Sequence, residues 1–264
     1  MRRAILPVVL VISFATAAVL PGCSEGGGGS GKFVTETKEI AGFTGVAISG
    51  PFEADIKRAD NFSVTINVRS TFLDYVTVNK AGDTLKVSLA PRHVFTDFPI
   101  QPNTFKVNIT MPALTGISLS GATKASISGF KSSQDFRIEI SGASSLDMES
   151  VEAGNVASQL SGASRLTGGL RAKELDLTVS GASKIDMEGS ADNLLLIASG
   201  ASNIDLLDFP LNQADVRISG ASEADVDVKM KLDLSLTDAS RLYFRGNPTV
   251  GNMSISGAST VKQK

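Results

Sequence analysis

One tetrapeptide recurs between Ser120 and Ser259, and it constrains the fold more than any other feature of the chain. It reads SGAT at its first occurrence and SGAS at six later ones, and a degenerate copy, TDAS, begins at Thr237. Successive copies are 18 to 21 residues apart. The second residues of the copies, which we call the marker residues, are Gly121, Gly142, Gly162, Gly181, Gly200, Gly220, Asp238 and Gly257. A fixed period of about 20 residues is typical of a solenoid, in which each repeat forms one coil.

Apolar and polar residues alternate on both sides of each marker residue. Positions an even number of residues away are mostly apolar, and odd positions are mostly polar or charged, as at Arg165 and Asp186. A period of two residues indicates strands with one buried face, so each repeat carries one strand before the tetrapeptide and one after it. A unit this short has no room for a helical crossover. The sequence therefore predicts an all-β, right-handed parallel β-helix with coils about 4.8 Å apart.

The small residues of the tetrapeptide suit a sharp bend between two strands. We interpret the marker glycines as structural turns, because glycine adopts backbone angles that other residues avoid. We expect the last serine of each copy to stack in a column whose hydroxyl groups bond to one another along the coil axis. A nucleophilic serine would need a base, and the single histidine, His93, is far in sequence from every SGAS copy. The serines are therefore predicted to be structural.

The first 22 residues resemble a bacterial lipoprotein signal. Two arginines precede an apolar run, Ile5 to Leu20, which is too short for a membrane span. The run leads to Gly22 and then to Cys23, the only cysteine of the chain, which predicts removal of residues 1–22 and lipidation of Cys23. Residues 23–32 are rich in Gly and Ser and should form a flexible tether. We therefore expect an extracytoplasmic protein, anchored by lipid to a membrane of the bacterial cell envelope.

A β-rich segment, residues 33–114, is predicted ahead of the repeats at residues 115–264. Short alternating runs, such as Ser63 to Val68, indicate strands, and we expect residues 33–264 to form one continuous domain. Pro91 to Asn103 interrupts the pattern with three prolines and several apolar residues. We interpret this stretch as a loop that covers an open end or edge of the sheet, and the alternative is a loop that docks a partner.

Composition excludes some classes of function. Removal of residues 1–22 would take away two of the 25 basic residues and none of the 27 acidic ones, so the mature chain is mildly acidic and is not expected to bind nucleic acid. The absence of tryptophan and the presence of only two tyrosines argue against a carbohydrate-binding groove, which usually stacks sugars on such rings. No cofactor is predicted.

Acidic residues recur five positions after the marker residue. They are Asp147, Asp186, Asp205 and Asp225. Such a column could bind calcium, but the neighbouring column is partly basic, which favours a solvated acidic face. Enzymes that cleave polysaccharides need carboxyl groups facing each other across a cleft, whereas these acids are spread along the repeat. The sequence therefore predicts a protein that is not an enzyme and holds no metal.

Two motifs outside the repeats occur in order ahead of them. Phe43 to Val46 leads to Ser49-Gly50-Pro51-Phe52, and Met111 to Leu114 runs into the first tetrapeptide. With the SGAS repeats, they resemble a bacterial family of auto-transporter adhesins with a head GIN domain, over nearly all of residues 40–260. The resemblance implies a β-helical extracytoplasmic domain with a role in adhesion, and it supplies no catalytic residues.

The chain departs from a self-exporting adhesin in one respect. An autotransporter needs a C-terminal membrane barrel, and this chain ends at Lys264 within its repeats. Anchoring is therefore expected to depend on the lipid at Cys23. The favoured interpretation is a non-enzymatic, lipid-anchored adhesin or binding module for an unidentified envelope or surface ligand. The alternative is a structural envelope protein that self-associates through an exposed coil end, as a homo-oligomer.

Overall fold

The computed structural model describes residues 31–90 and 105–264, and residues 31–264 form one compact unit. The described part is almost entirely β-structure, with one short 3-10 helix, η1, at Ser70–Tyr75. The strands are β1 (Phe33–Lys38), β2 (Gly45–Gly50), β3 (Glu53–Arg58), β4 (Ser63–Arg69), β5 (Val76–Ala81), β6 (Thr84–Leu89), β7 (Phe105–Met111), β8 (Gly116–Gly121), β9 (Lys124–Ser128), β10 (Phe136–Ile140), β11 (Ser145–Glu152), β12 (Asn155–Leu160), β13 (Arg165–Arg171), β14 (Glu174–Val179), β15 (Lys184–Ala198), β16 (Asn203–Ile218), β17 (Glu223–Leu236), β18 (Arg241–Arg245), β19 (Thr249–Ile255) and β20 (Thr260–Gln263).

Parallel pairing stacks these strands into two columns. One column holds the strands that precede a marker residue: β2, β8, β10, β12, β14, the second halves of β15 to β17, and β19. The other holds the strands that follow it: β3, β9, β11, β13, the first halves of β15 to β17, β18 and β20. We call the bend at the marker residues the first corner and the opposite bend of each coil the second corner. The predicted β-helix is thus confirmed, as a β-solenoid of stacked parallel strands.

The solenoid begins before the first SGAT tetrapeptide. Strands β2 and β3 pair with β8 and β9 in a register that places Gly50 opposite Gly121. On the other side, β2 and β3 pair with β6 and β7, which form one more parallel coil. Strands β4 and β5 run antiparallel to that outer coil, and β1 runs antiparallel to β4. Residues 33–114 therefore contribute two coils of the parallel stack as well as antiparallel strands at one end of it.

Side chains at an even number of residues from the marker residue point inward, as the alternation predicts. Ile185, Ile204 and Ala224 are consecutive register partners in β15, β16 and β17, and all three are buried. Burying one such aliphatic side chain stabilises the fold by about 1.5–3 kcal/mol. The outer coil has a bulkier core, where the rings of Phe72 and Phe105 lie 5.3 Å apart between centroids. One core runs from these rings through the repeats, so we expect residues 31–264 to fold as a unit.

Among the described residues of this core, the Ser158 hydroxyl group is buried without a hydrogen-bond partner. Ser158 is 2% exposed, between its register neighbours Ile138 and Leu177, and its Oγ has no hydrogen-bond partner in the described part of the chain. We expect Ser158→Ala to raise the free energy of unfolding by about 1 kcal/mol, because it removes an uncompensated buried polar group. Urea unfolding followed by circular dichroism measures the change.

Ser164 provides the control for that substitution. It is equally buried, but its hydroxyl donates a hydrogen bond of 2.6 Å to the Ser161 carbonyl, so Ser164→Ala should lower stability. If both alanine variants lost stability to the same extent, the Ser158 hydroxyl would have to have a hydrogen-bond partner in the folded protein.

Candidate functional site

The marker glycines pack directly on one another at the first corner. Gly162 has a φ of 77°, and a Cβ built on it would lie 2.6 Å from the carbonyl oxygen of Gly142. That oxygen already accepts a hydrogen bond of 2.8 Å from the Ala163 N–H. Positive φ angles recur at the other predicted turns, Gly121, Gly142, Gly181, Gly200, Gly220 and Gly257. Their geometry is that of a tightly stacked turn, in which a Cβ on the glycine would press on the backbone of the coil before it.

The terminal serines of the tetrapeptides are buried, but they bond differently from the prediction. Ser164, Ser183 and Ser202 each donate to the carbonyl three residues earlier, at 2.6, 2.8 and 3.0 Å. Since a hydroxyl has one proton, these three neighbours do not form the predicted chain of hydroxyl groups. Hydroxyl-to-hydroxyl contact does occur between Ser240 and Ser259, at 3.2 Å. The serines mainly close their own turns.

The predicted acidic column is only partly continuous. Asp186, Asp205 and Asp225 are consecutive register partners, but Thr167 separates Asp147 from them. Two lysines lie against the column. Lys184 is 3.8 Å from Asp186, and Lys264 forms an ion pair with Asp225. Within the described ranges, no group of three or more His, Cys, Asp or Glu side chains is placed to hold a metal ion.

A groove runs along the second corner and crosses several coils. Two adjoining cavities, which share Lys131, Val151 and Glu152, make up this corner groove. The first cavity, of about 420 Å³, is lined by Arg58, Pro112, Ala113, Leu114, Gly129, Phe130, Lys131, Ser132, Gln134, Phe136, Val151, Glu152 and Ala153. The second, of about 430 Å³, is lined by Lys131, Ser150, Val151, Glu152, Gly169, Leu170, Arg171, Glu188, Gly189 and Asp208.

Backbone irregularities shape the second cavity. The pairing of β11 with β13 shifts register between Met148 and Val151, and Ser150 in that bulge has a φ of 54°, which is uncommon for a residue other than glycine. Gly189 is also at positive φ, and a Cβ there would collide with the carbonyl of Leu170. The bulge at Ser150 and the close stacking of Gly189 on Leu170 both border the second cavity. Such outliers cluster at functional sites.

Charged side chains line the corner groove in a definite order. Lys131 and Glu152, 2.9 Å apart in neighbouring coils, form an ion pair between the two cavities. The hydrogen bond from Lys131, followed by the charges of Lys131 and Arg171, holds the pKa of Glu152 below its usual range. Arg58 lies at one end of the groove and is 2.6 Å from Asp60. The other end carries acids instead, Glu188 and Asp208.

The corner groove was not foreseen from the sequence. The spacing of the chain is most regular at the first corner, whereas the residues at the second corner change in number and type from coil to coil. Those changes nevertheless leave a pattern in the sequence that could have pointed to the groove. Gly129, Gly169 and Gly189 follow the first corner at uneven offsets, and charged residues flank them at Lys131, Arg171 and Glu188.

Several predicted features lie outside the described residues. These are the signal segment, Cys23 with most of its tether, His93 and the proline-rich stretch at residues 91–103. They remain predictions. Among the residues that are described, no helix is long and apolar enough to cross a membrane.

Fold and groove together define a class of protein, a β-solenoid with an extended surface along its axis. Such solenoids commonly use surfaces of this kind for binding. The chain belongs to the family described as "Putative auto-transporter adhesin, head GIN domain", whose model matches residues 42–248. The family resemblance seen in the sequence is thus confirmed.

Solved structures share this fold. A "putative adhesin" from Parabacteroides distasonis superposes with a TM-score of 0.80 at 16% identity, over 89% of this chain and 98% of that chain. A "putative adhesin" from Parabacteroides merdae gives 0.75 at 16% identity, with the same coverage. A "putative lipid binding protein" from Parabacteroides distasonis gives 0.71 at 17% identity, again over 89% and 98%. Comparison with curated protein sequences finds no match.

Proposed function

We propose that this chain is a non-enzymatic binding protein of the bacterial cell envelope, anchored by a lipid on Cys23. The observation that carries the proposal is the corner groove, two adjoining cavities with charged side chains on their walls. A rigid scaffold keeps such a site in its binding geometry without an ordering cost. Membership of an adhesin family supports the same conclusion. The Gly/Ser tether would let the body stand off the membrane surface.

The Glu152 carboxyl group of the groove is poorly suited to act as the general acid in hydrolysis of a polysaccharide. A glycosidase needs a general acid whose pKa is raised, so that it remains protonated at the working pH. Glu152 has the opposite property, because Lys131 binds its carboxylate and lowers its pKa. The glutamate therefore acts as one half of a fixed ion pair on the groove wall. A binding role needs only such fixed charges.

Binding of residues 31–264 to a panel of glycans, peptidoglycan and host matrix proteins tests the proposal. We expect saturable binding to one ligand class, and loss of that binding when Lys131 and Arg171 are both changed to Glu. The matched control reverses charges on the opposite column of strands, with Arg137→Glu and Arg217→Glu. The proposed function would be wrong if no ligand class of the panel bound, or if the protein chemically converted a ligand that it bound.

One observation favours self-association as a second candidate function. In β19, Val250, Met253 and Ile255 are 38%, 55% and 44% exposed, an unusual density of apolar side chains for a surface strand. A second copy of the chain that packed there would cover them. Sedimentation velocity across a hundredfold range of concentration separates the two functions. A mass that rises with concentration, with no binding to the panel, would favour a structural envelope role.

A further inference from the structure

We propose that β19 pairs in antiparallel orientation with β19 of a second copy of the chain, and that the pair joins two surfaces that each carry one copy. The joining of surfaces rests on the proposed attachment at Cys23, whereas the pairing itself does not. The free edge of β19, its lack of charge and its place in the fold support the proposal.

The hydrophobic core is uncovered at β19. Three apolar residues of this strand are register partners of leucines in β17: Val250 of Leu232, Met253 of Leu234 and Ile255 of Leu236. The leucines are at most 3% exposed, whereas the three residues of β19 are 38–55% exposed. Within the described residues β19 pairs with β17 alone, so its other edge carries free N–H and C=O groups. One more strand on that edge would cover the apolar side chains and bond to the backbone.

The edge of β19 differs from the other strand edges of the described part. Strands β1, β5 and β20 also pair on one side there, and each carries charge: Glu36 and Lys38 in β1, Lys80 in β5 and Lys262 in β20. Charged side chains on an edge strand discourage pairing with another chain. The sequence of β19, TVGNMSI, contains neither a charged residue nor a proline. Among the described edges, β19 is therefore the one that is open to pairing.

A second copy of β19 supplies a matching strand. The register of β19 on β17 shifts between Val250 and Met253, so the regular part of the strand begins at Met253. In an antiparallel pair centred on Ser254, Met253 of each copy lies opposite Ile255 of the other, on the face that continues the core. The two uncovered core ends then cover each other. Because the pairing uses the free β19 edge of both copies, it closes at a dimer.

The charges near β19 do not call for an acidic partner. Residues 239–264 contain four basic residues and no acidic one. Three of the four already bind acids of the preceding coil: Arg241 with Glu223, Arg245 with Asp227 and Lys264 with Asp225. The fourth, Lys262, is exposed and would repel its equivalent only weakly. The dimer should therefore hold or tighten as salt is raised, whereas an acidic partner would be released.

The tether joins the folded body at the end far from β19. The Gly31 carbonyl accepts a hydrogen bond of 3.1 Å from Arg69 at the end of β4, and β4 pairs with β7 of the outer coil. Nine parallel pairings separate β6 of that coil from β19, at about 4.8 Å each, which makes roughly 43 Å. Two copies paired at β19 therefore direct their tethers to opposite ends, roughly 90 Å apart. Such a pair suits copies anchored to two facing surfaces.

Ser254 allows a test that leaves the core side chains unchanged. It is exposed, on the outward face of β19, and its register partner in β17 is Ser235. We expect residues 31–264 to form a dimer in sedimentation velocity. Ser254→Lys should raise the dissociation constant about fivefold, because two like charges would lie opposite each other. Ser254→Glu should act in the same way, and an equimolar mixture of the two variants should recover the dimer.

Ser235→Lys is the matched control for these variants. It places the same charge on the same face, one coil away from the free edge, and should leave the dissociation constant unchanged. Circular dichroism would verify that all three variants are folded.

Coated beads test the joining of surfaces. Residues 31–264 are biotinylated at the amino terminus and bound to streptavidin beads, so that β19 points away from each bead. We expect beads with the parent chain to cluster. Beads with Ser254→Lys should stay dispersed until beads with Ser254→Glu are added. Attachment through a biotin placed after Lys264 brings β19 against the bead and should prevent clustering.

The outcomes separate this inference from the proposed function. A parent chain that stayed monomeric would overturn the inference and leave the binding function of the corner groove intact. Species larger than a dimer, a monomeric mixture of the two Ser254 variants, or release at high salt would overturn the antiparallel pairing of uncharged strands. A dimer that did not cluster beads would overturn the role in joining surfaces. Absence of fatty acid on Cys23 would contradict the anchoring and leave both assays unaffected.

Discussion

Gly162→Ala should lower the free energy of unfolding by about 3–5 kcal/mol, a large fraction of the stability of a typical domain. An alanine at a φ of 77° costs about 1–2 kcal/mol in backbone strain. Its Cβ would also lie 2.6 Å from the Gly142 carbonyl oxygen, so one coil must shift away from the other. The shift would break the hydrogen bond from Ala163 to that oxygen, which adds a further cost.

Gly82→Ala isolates the stacking contribution. Gly82 also has positive φ, at 59°, but nothing lies within 4 Å of a Cβ built there. Its substitution should therefore cost only the backbone strain, about 1–2 kcal/mol. Urea unfolding of the two variants and the parent chain gives both values. If the two alanine variants were destabilised equally, close stacking of the marker residues would not be what requires glycine at the first corner.

The degenerate copy shows how a side chain can be accommodated at this corner. Asp238 occupies the marker position with a φ of 66°, and its carboxylate accepts a hydrogen bond of 3.0 Å from the Gly220 N–H. The bond from Ala239 to the Gly220 carbonyl is 3.0 Å, against 2.7–2.8 Å for the five preceding SGAS copies. A short polar side chain therefore fits with a small loosening of the stack and a new hydrogen bond. Alanine has no such compensation.

The repeat could be predicted because its physical requirement is local. A glycine at positive φ, a fixed period and a two-residue alternation each leave a mark in the sequence, and together they gave the correct strand columns. The tetrapeptide does not mark the coil at Gly50, because Pro51 and Phe52 replace its Ala and Ser. The outer coil of β6 and β7 carries no tetrapeptide at all. It joins the stack through long-range pairing, which no local pattern encodes.

The corner groove could not be predicted for a related reason. Its shape depends on which coil bulges and which coil lacks a side chain, and those properties differ between neighbours. Ser150 and Gly189 border the second cavity from either side of Leu170, whose coil lies between theirs. The serine hydroxyl groups show the same limit. The period of the repeat predicts that the terminal serines are buried. Whether each serine hydroxyl donates to a neighbouring hydroxyl or to a carbonyl in its own turn depends on atomic distances, which the sequence does not contain.

Cys23→Ser should abolish fatty-acid incorporation into the full chain in a bacterial host. Cys23 is the only cysteine, so no other thiol can carry the lipid. Metabolic labelling with an alkyne-tagged fatty acid, followed by in-gel fluorescence, should show a strong band for the parent chain and background for the variant. This readout is sharper than fractionation, because an unprocessed chain could stay in the membrane through the apolar run at Ile5 to Leu20.

Moving the cysteine by one position provides the matched control. In the double variant Cys23→Ser with Ser24→Cys, the thiol is retained but no longer follows Gly22 directly. If the signal is read as a lipoprotein signal, labelling should remain at background. If the shifted cysteine were labelled as strongly as the native one, acylation would follow mere exposure of a thiol. If the parent chain itself took up no fatty acid, attachment to the envelope would have to come from the folded body, and the exposed β19 strand and the corner groove would become its candidate surfaces.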